Sequence, residues 1–362
     1  MKLEDLKCTD YGEYKVYEND ECKLVRSKDY NYNFNKINGK FMRWGKTLND
    51  DPEMAPSCEI ADIEISQGYC KNSCPWCYKG NCKSKELHNM TLEEFKNVFH
   101  KINQSGILTQ IAFGVTSPSD NPDFFDMIKY ARKNGVISNY TCHGSDMTPE
   151  LAKLTAENCG AIALSVSSKD ETYNAVKMLT EAGMKQINFH MVAYNGSYDK
   201  ILSVIDDIKT DERLKGVKAL VMLKYKDKGT NSGTGKFTCL SQEQYNYIFE
   251  YAEKNGIALG FDSCSCYTYL NAIKDRKNYK SLAMYAEPCE STLFSIYVNS
   301  YSEVAPCSFC ELENKNGNNW IKGINLLEIQ DFDKEVWNSD RIKEFRRNLL
   351  NNHRKCPMYN LD

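Results

Sequence analysis

Between residues 58 and 262 the chain repeats one pattern six times: an apolar run short enough for a strand, then an amphipathic stretch long enough for a helix, with a further strand at the end. Strands that alternate with helices in this way are accommodated by a parallel sheet whose crossovers are right-handed. The apolar runs are ADIEIS (61–66), ILTQIAFG (107–114), VISNYT (136–141), AIALSVS (161–167), KQINFHMVAY (185–194), GVKALVMLKY (216–225) and IALGFD (257–262). The helices between them carry their own punctuation. Thr91 with Glu94 and Ser241 with Gln244 form capping boxes. Asn121-Pro122 and Thr148-Pro149 open helices, and Gly135, Gly183 and Gly256 close them. Ahead of this series, NYNFNKINGKFMRW predicts a hairpin about Asn38-Gly39. After residue 262 the rhythm stops. The division read from the sequence is therefore an N-terminal β extension (1–57), an α/β unit (58–262) and a small C-terminal module (263–362).

The chain holds 16 cysteines, and four of them crowd into CKNSCPWCYKGNC just after the first strand of the series. The N-terminus, MKLEDLKCTDYGEYKV, lacks an apolar signal core, so the expected compartment is the cytoplasm, where thiols stay reduced. That disfavours a disulfide framework and leaves metal binding, catalysis or burial. No apolar run approaches the roughly 18 residues of a membrane span. A net charge of −3 gives no global attraction to nucleic acid or anionic membrane. Cys70, Cys74 and Cys77 follow the spacing C-x3-C-x2-C in a loop at the carboxyl end of a strand, where parallel α/β folds build their sites. Three thiolates leave one iron of a 4Fe–4S cube open. The competing reading is a zinc knuckle that recruits Cys82 as the fourth thiol.

CKNSCPWC, with Trp76 before the last cysteine, resembles the signature of the radical S-adenosylmethionine (SAM) superfamily. The resemblance covers about residues 58–262 and implies a partial (β/α)6 barrel. It also implies a 4Fe–4S cluster on Cys70, Cys74 and Cys77 and reductive cleavage of SAM to a 5′-deoxyadenosyl radical that takes a hydrogen from the substrate. Trp76 and Tyr78 in the cluster loop are then expected near the cofactors. The family's Gly-Gly-Glu-Pro at the end of the second strand corresponds to Val115-Thr116-Ser117-Pro118, preceded by Gly114. Ser117 stands where the family has Glu, so it offers the SAM ammonium a hydrogen bond but no opposite charge. Ser165 matches a strand serine near the ribose. His190 on an inner strand and His143 at a strand end are candidates for the pocket, each with a core histidine as its plainer alternative.

CESTLFSIYVNSYSEVAPCSFC resembles the C-terminal SPASM or twitch extension of that superfamily, which carries auxiliary clusters. The implied ligands of one auxiliary 4Fe–4S cluster are Cys289, Cys307, Cys310 and Cys356, with zinc on the same thiols as the alternative. Ser302 occupies a hairpin position that is Gly in the family. Cys264 and Cys266, read as alternate residues of an extended segment, carry three readings: cluster ligand, thiol hydrogen donor to a substrate radical, or buried packing. Cys264 is the one expected to reach a cavity and is the candidate catalytic thiol.

Such extensions imply a peptide or protein substrate, and the chemistry implies an electron donor such as a flavodoxin or ferredoxin. Alternatives are a small-molecule substrate or a zinc-stabilised binding protein. Two further stretches are read as bland. GTNSGTGKF (229–237) lacks the G-x4-G-K-[ST] spacing of a phosphate loop and predicts a flexible surface loop. The basic residues Arg341, Lys343, Arg346, Arg347, Arg354 and Lys355 predict a solvated face, with docking of an acidic peptide as the sharper reading.

Overall fold

The computed structural model describes residues 3–311, 314–315, 318–319, 324–359 and 361. Strands β1 (Lys7–Asp10), β2 (Lys15–Glu18), β3 (Cys22–Arg26), β4 (Asn31–Asn35) and β5 (Phe41–Trp44) form an antiparallel five-stranded meander. The hairpin expected about Asn38-Gly39 is its β4–β5 corner, with Gly39 at φ +71° as the turn requires. The other three strands extend that hairpin, and β1 is exposed along its whole length.

Among the described residues the main sheet has nine strands. Its first is β6 (Ile60–Glu64). A two-residue ladder, β7 (Ser66–Gln67) with β8 (His88–Asn89), then pinches off the cysteine loop. Helix α1 (Leu92–Ile102) leads to β9 (Gln110–Gly114), α2 (Phe124–Lys133) to β10 (Ile137–Cys142), and α3 (Pro149–Asn158) to β11 (Cys159–Ser165). The series continues through α4 (Lys169–Glu181), β12 (Ile187–Ala193), α5 (Tyr198–Thr210), β13 (Val217–Lys224), α6 (Gln242–Lys254) and β14 (Leu259–Phe261). Both expected capping boxes form, at Thr91/Glu94 and Ser241/Gln244.

Within the main sheet, β6 pairs in parallel with β9, and each strand from β9 to β14 pairs in parallel with the next. Winding in one direction stacks all the crossover helices on one face and curls the sheet, but the ends do not meet, so the barrel is partial. Strand β12 shows the two faces. Ile187, Phe189, Met191 and Ala193 are buried in one core with Val204 and Ile205 of α5, whereas Asn188, His190 and Val192 on the opposite face are only half-buried.

The C-terminal residues re-enter this sheet. Helices α7 (Cys266–Ile273) and α8 (Tyr279–Ala283) precede β15 (Ser295–Val298), which lies parallel against β6, and β16 (Val304–Ala305) closes an antiparallel hairpin on it. Ser302 in that hairpin sits at φ +64°, the left-handed conformation that suits the glycine of the resemblance. The last long helix, α9 (Asp340–Asn351), is not merely a solvated face. Arg346 is buried, donates to the carbonyls of Thr292 (2.8 Å) and Trp337 (3.0 Å) and lies over the Trp337 ring. Arg354 donates to the carbonyl of Cys289 (3.0 Å) and pairs with Glu287. A guanidinium on an apolar stem can join a core while its head remains bonded, which charge counting does not foresee.

Candidate active site

The carboxyl ends of β6, β9, β10 and β11 surround a cavity of about 310 Å³. Cys70, Cys74 and Cys77 line it together. The loop that carries them folds on backbone bonds from Cys77 N to Cys74 O (3.0 Å), Gly80 N to Cys77 O (3.1 Å) and Cys82 N to Gly68 O (3.0 Å). Burial, with Cys77 and Cys70 alongside, pushes the Cys74 thiol up to about 11. Burial raises the Cys77 thiol as well, and half-buried thiols set side by side in this way are what a cationic metal core would offset. Cys82 does not join them. Its sulfur lies 3.3 Å from Ser84 Oγ and is not on the cavity wall. The donor set is thus three thiols, which fits a cube with one open iron and not a four-thiol zinc knuckle. Among the described residues no three Cys, His, Asp or Glu side chains converge closely enough for a single metal ion.

Opposite the thiols, Gly114, Val115 and Thr116 at the end of β9 line the cavity, as do Ser165 and Tyr78. Ser117, Trp76 and His190 do not. Ser117 is buried behind the wall, its Oγ 3.1 Å from Ser119 Oγ, which donates to Asp146 (2.8 Å). Thr116 gives its hydroxyl proton to Asp120 Oδ2 (2.6 Å), so its lone pairs are what it can present to the cavity. Trp76 packs on Tyr194 (centroids 4.9 Å apart) and meets the edge of Phe237, which braces the cysteine loop against the end of β12. His143 is the better-placed histidine: it lines the cavity, with Nε2 3.6 Å from Cys74 Sγ and Nδ1 3.0 Å from Ser167 Oγ.

His190 stands inside the barrel with Nδ1 3.4 Å from Thr141 Oγ1, and burial pushes its pKa down from 6.5 to about 4. Between those two values the unfolded chain binds the extra proton, so stability rises with pH through the window and is fully present above about pH 6.5. On acidification from pH 7 to 4.5, wild type should lose about 2–3 kcal/mol relative to His190→Gln, read from urea titrations of both proteins at both pH values. Equal losses in the two proteins would show that the imidazole is solvated.

Two neighbours of the thiol loop were not legible as such. The segment 229–237 is no free surface loop. Thr230 N donates to Cys77 O (2.9 Å) and Asn231 Nδ2 to Pro75 O (2.9 Å). Gly229 lies at φ +77°, and a side chain there would strike Cys77 O at 2.2 Å. Lys79 is the second. Its ammonium pairs with Glu64 (2.8 Å) and Glu311, and donates to Tyr297 OH (2.7 Å), which itself donates to Glu64 (2.7 Å). This network ties the thiol loop to β6, to β15 and to the loop that carries Cys307 and Cys310.

The C-terminal thiols gather on the far side of that network. Cys264, Cys289 and Cys356 line a second cavity of about 390 Å³. Cys307 Sγ lies 3.5 Å from Cys310 Sγ, and the hydrogen bond between them pushes the Cys307 thiol down and the Cys310 thiol up. The Cys307 sulfur acts electrostatically on Cys264, Cys289 and Cys356 alike. Cys264, Cys289 and Cys356 thus share one cavity and Cys307 touches Cys310, while Cys264 is not on the wall of the first cavity. Residues 263–265 form a 3-10 turn and not the extended segment expected, and Cys266 starts α7, buried. The turn separates the two thiols as alternation would have. The Lys226 ammonium, paired with Asp262 (2.9 Å), stands beside Cys264.

Residues 65–235 match the sequence model of the radical SAM superfamily. The chain carries a radical SAM domain. Among solved structures, Streptococcus suis SuiB bound to precursor peptide SuiA superposes with a TM-score of 0.68 at 12% identity, covering 95% of this chain and 98% of that one. Native anSMEcpe with bound AdoMet and Cp18Cys peptide follows with a TM-score of 0.57 at 16% identity, covering 79% of this chain and 81% of that one. At these identities the likeness is one of fold. No curated protein sequence matches the chain. The radical SAM domain sits in an α/β chain with a mostly parallel sheet, and no helix among the described residues is long and apolar enough to cross a membrane.

Proposed function

We propose that this radical SAM enzyme modifies a peptide or protein. The observation that carries the reading is the set of three thiols, Cys70, Cys74 and Cys77, on the wall of a cavity at the carboxyl ends of the parallel strands. They would hold a 4Fe–4S cluster and leave one iron for SAM. When bound, cluster and SAM together supply a 5′-deoxyadenosyl radical able to take a hydrogen atom from an unactivated carbon. The chain's own part is to bind, orient and exclude water. Gly114, Val115, Thr116, Ser165 and Tyr78 would line the SAM site. Thr116, its proton committed to Asp120, would accept from the SAM ammonium in place of Ser117, which lies behind it. Trp76 and segment 229–237 would hold the thiol loop in position.

Cys289, Cys307, Cys310 and Cys356 would hold an auxiliary 4Fe–4S cluster in the C-terminal module (263–362), with Cys264 within reach as an alternative ligand. A flavodoxin or ferredoxin would supply electrons in the cytoplasm. A peptide substrate is supported by the fold shared with SuiB and anSMEcpe, both solved with peptides bound. Co-expression under anaerobic conditions with short open reading frames beside its gene tests this. One encoded peptide should return with an altered mass that depends on Cys74. If every such peptide is unchanged while small molecules stimulate SAM cleavage, the peptide reading fails.

A further inference from the structure

Strand β6 turns Ile60, Asp62 and Glu64 to the face opposite the core residues Ala61 and Ile63, and both acids line the first cavity. Glu64 is fully engaged by Lys79 and Tyr297. Asp62 is not. Two residues deeper along the strand, level with Ala112 of β9 and Tyr297 of β15, its carboxylate makes no hydrogen bond or ion pair among the described residues. Burial first, and then Glu290 and the Cys307 thiol, push its pKa up to about 7, so nothing in the cavity favours its charge. The ammonium on the cavity wall, Lys79, is shared between Glu64 and Glu311. The imidazole there, His143, is engaged by Cys74 (3.6 Å) and Ser167 (3.0 Å). The cavity wall and its first contacts therefore set three carboxylates, Asp62, Glu64 and Glu311, against one ammonium.

A carboxylate kept in a cavity among like charges lowers stability, and an asparagine of the same shape would avoid that cost. Groups held so are found where a ligand completes them. The missing partner is a cation, and its place is the floor of the cavity, between the thiol loop at the mouth and the C-terminal thiols. We infer that Asp62 is a substrate-binding residue that takes a basic side chain of the modified peptide, a lysine ammonium or an arginine guanidinium. Either would form a charge-assisted hydrogen bond with the carboxylate, the guanidinium by both oxygens. This rests on the peptide reading above and narrows it to substrates with a basic residue next to the modified one. The ammonium of SAM is the competing cation, and the test separates the two.

Reduced, cluster-loaded enzyme is given SAM and a pool of synthetic peptides in matched pairs, lysine against norleucine and arginine against citrulline, and modification is scored by mass. Wild type should modify the basic members about tenfold faster, the size of one charge-assisted hydrogen bond. In Asp62→Asn that ratio should fall to about one, and in Asp62→Glu much of it should return. Thermal melting of each variant checks that it is folded, and equilibrium dialysis gives its Kd for SAM. Modification by wild type without preference for basic members overturns this inference and leaves the peptide reading standing. A ratio unchanged in Asp62→Asn, with SAM binding about tenfold weaker, assigns the carboxylate to SAM and also overturns it. If no peptide of any kind is modified, the peptide reading falls and the inference with it.

Discussion

Replacing Cys70, Cys74 and Cys77 together by Ala should halve the iron of the reconstituted protein, from about 8 atoms per chain to about 4, and should abolish reductive SAM cleavage. The two losses report different things. Iron that remains at about 4 shows that the C-terminal thiols still hold their cluster and that the variant is folded. Cys289 and Cys356, with Cys264, line a separate cavity that shares no lining residue with the first. Cleavage should vanish because the remaining cluster has a thiol for every iron. A wild-type protein that saturates at about 4 iron atoms would remove the auxiliary cluster. Continued formation of 5′-deoxyadenosine by the triple variant would remove the role given to the three thiols.

The second large effect is on stability. Lys79→Met leaves Glu64 and Glu311 buried with no cation, each 7% or less exposed at the side chain. Breaking a buried pair by removing one partner costs about 3–5 kcal/mol. Against a total of roughly 5–15 kcal/mol that is a large share. The effect should be seen as a lower urea midpoint and poor retention of the C-terminal cluster, because the network links the thiol loop to the loop of Cys307 and Cys310. Adding Glu64→Gln should recover part of the loss, since a neutral amide at that position no longer repels Glu311. A single variant as stable as wild type would mean that water reaches these charges and that the two thiol loops are joined by packing alone, such as Tyr78 against Phe309 (centroids 4.4 Å apart).

The barrel was legible because its signals are local. A capping box needs four consecutive residues, and Thr91 to Glu94 and Ser241 to Gln244 carry theirs complete. The C-x3-C-x2-C loop is legible for the same reason: its spacing survives whatever the rest of the chain does. What stayed hidden depends on partners far apart in sequence. β15 pairs with β6 across more than 200 residues, and nothing in SIYV names its partner. Lys79 meets Glu311 over 232 positions. Gly229 reads as loop composition until its φ of +77° and the Cys77 carbonyl beside it explain why no side chain fits. Arg346 reads as surface charge until Thr292 and Trp337 supply its acceptors. The strands β1 to β3 have too little apolar alternation to stand out, as the exposed KCTD of β1 shows. Ser117 is a different case. Its alignment with a family glutamate placed it at the cavity, but the turn after β9 presents Thr116 there and sets Ser117 behind it.

The central claim is that Cys70, Cys74 and Cys77 hold a 4Fe–4S cluster whose fourth iron is open to SAM. Electron paramagnetic resonance of the reduced protein, recorded with and without SAM, tests it most directly. The account predicts a 4Fe–4S signal that changes on addition of SAM in wild type, and a remaining signal indifferent to SAM in the triple Ala variant. A wild-type spectrum that SAM leaves unchanged, or a colourless protein that holds zinc, would contradict it.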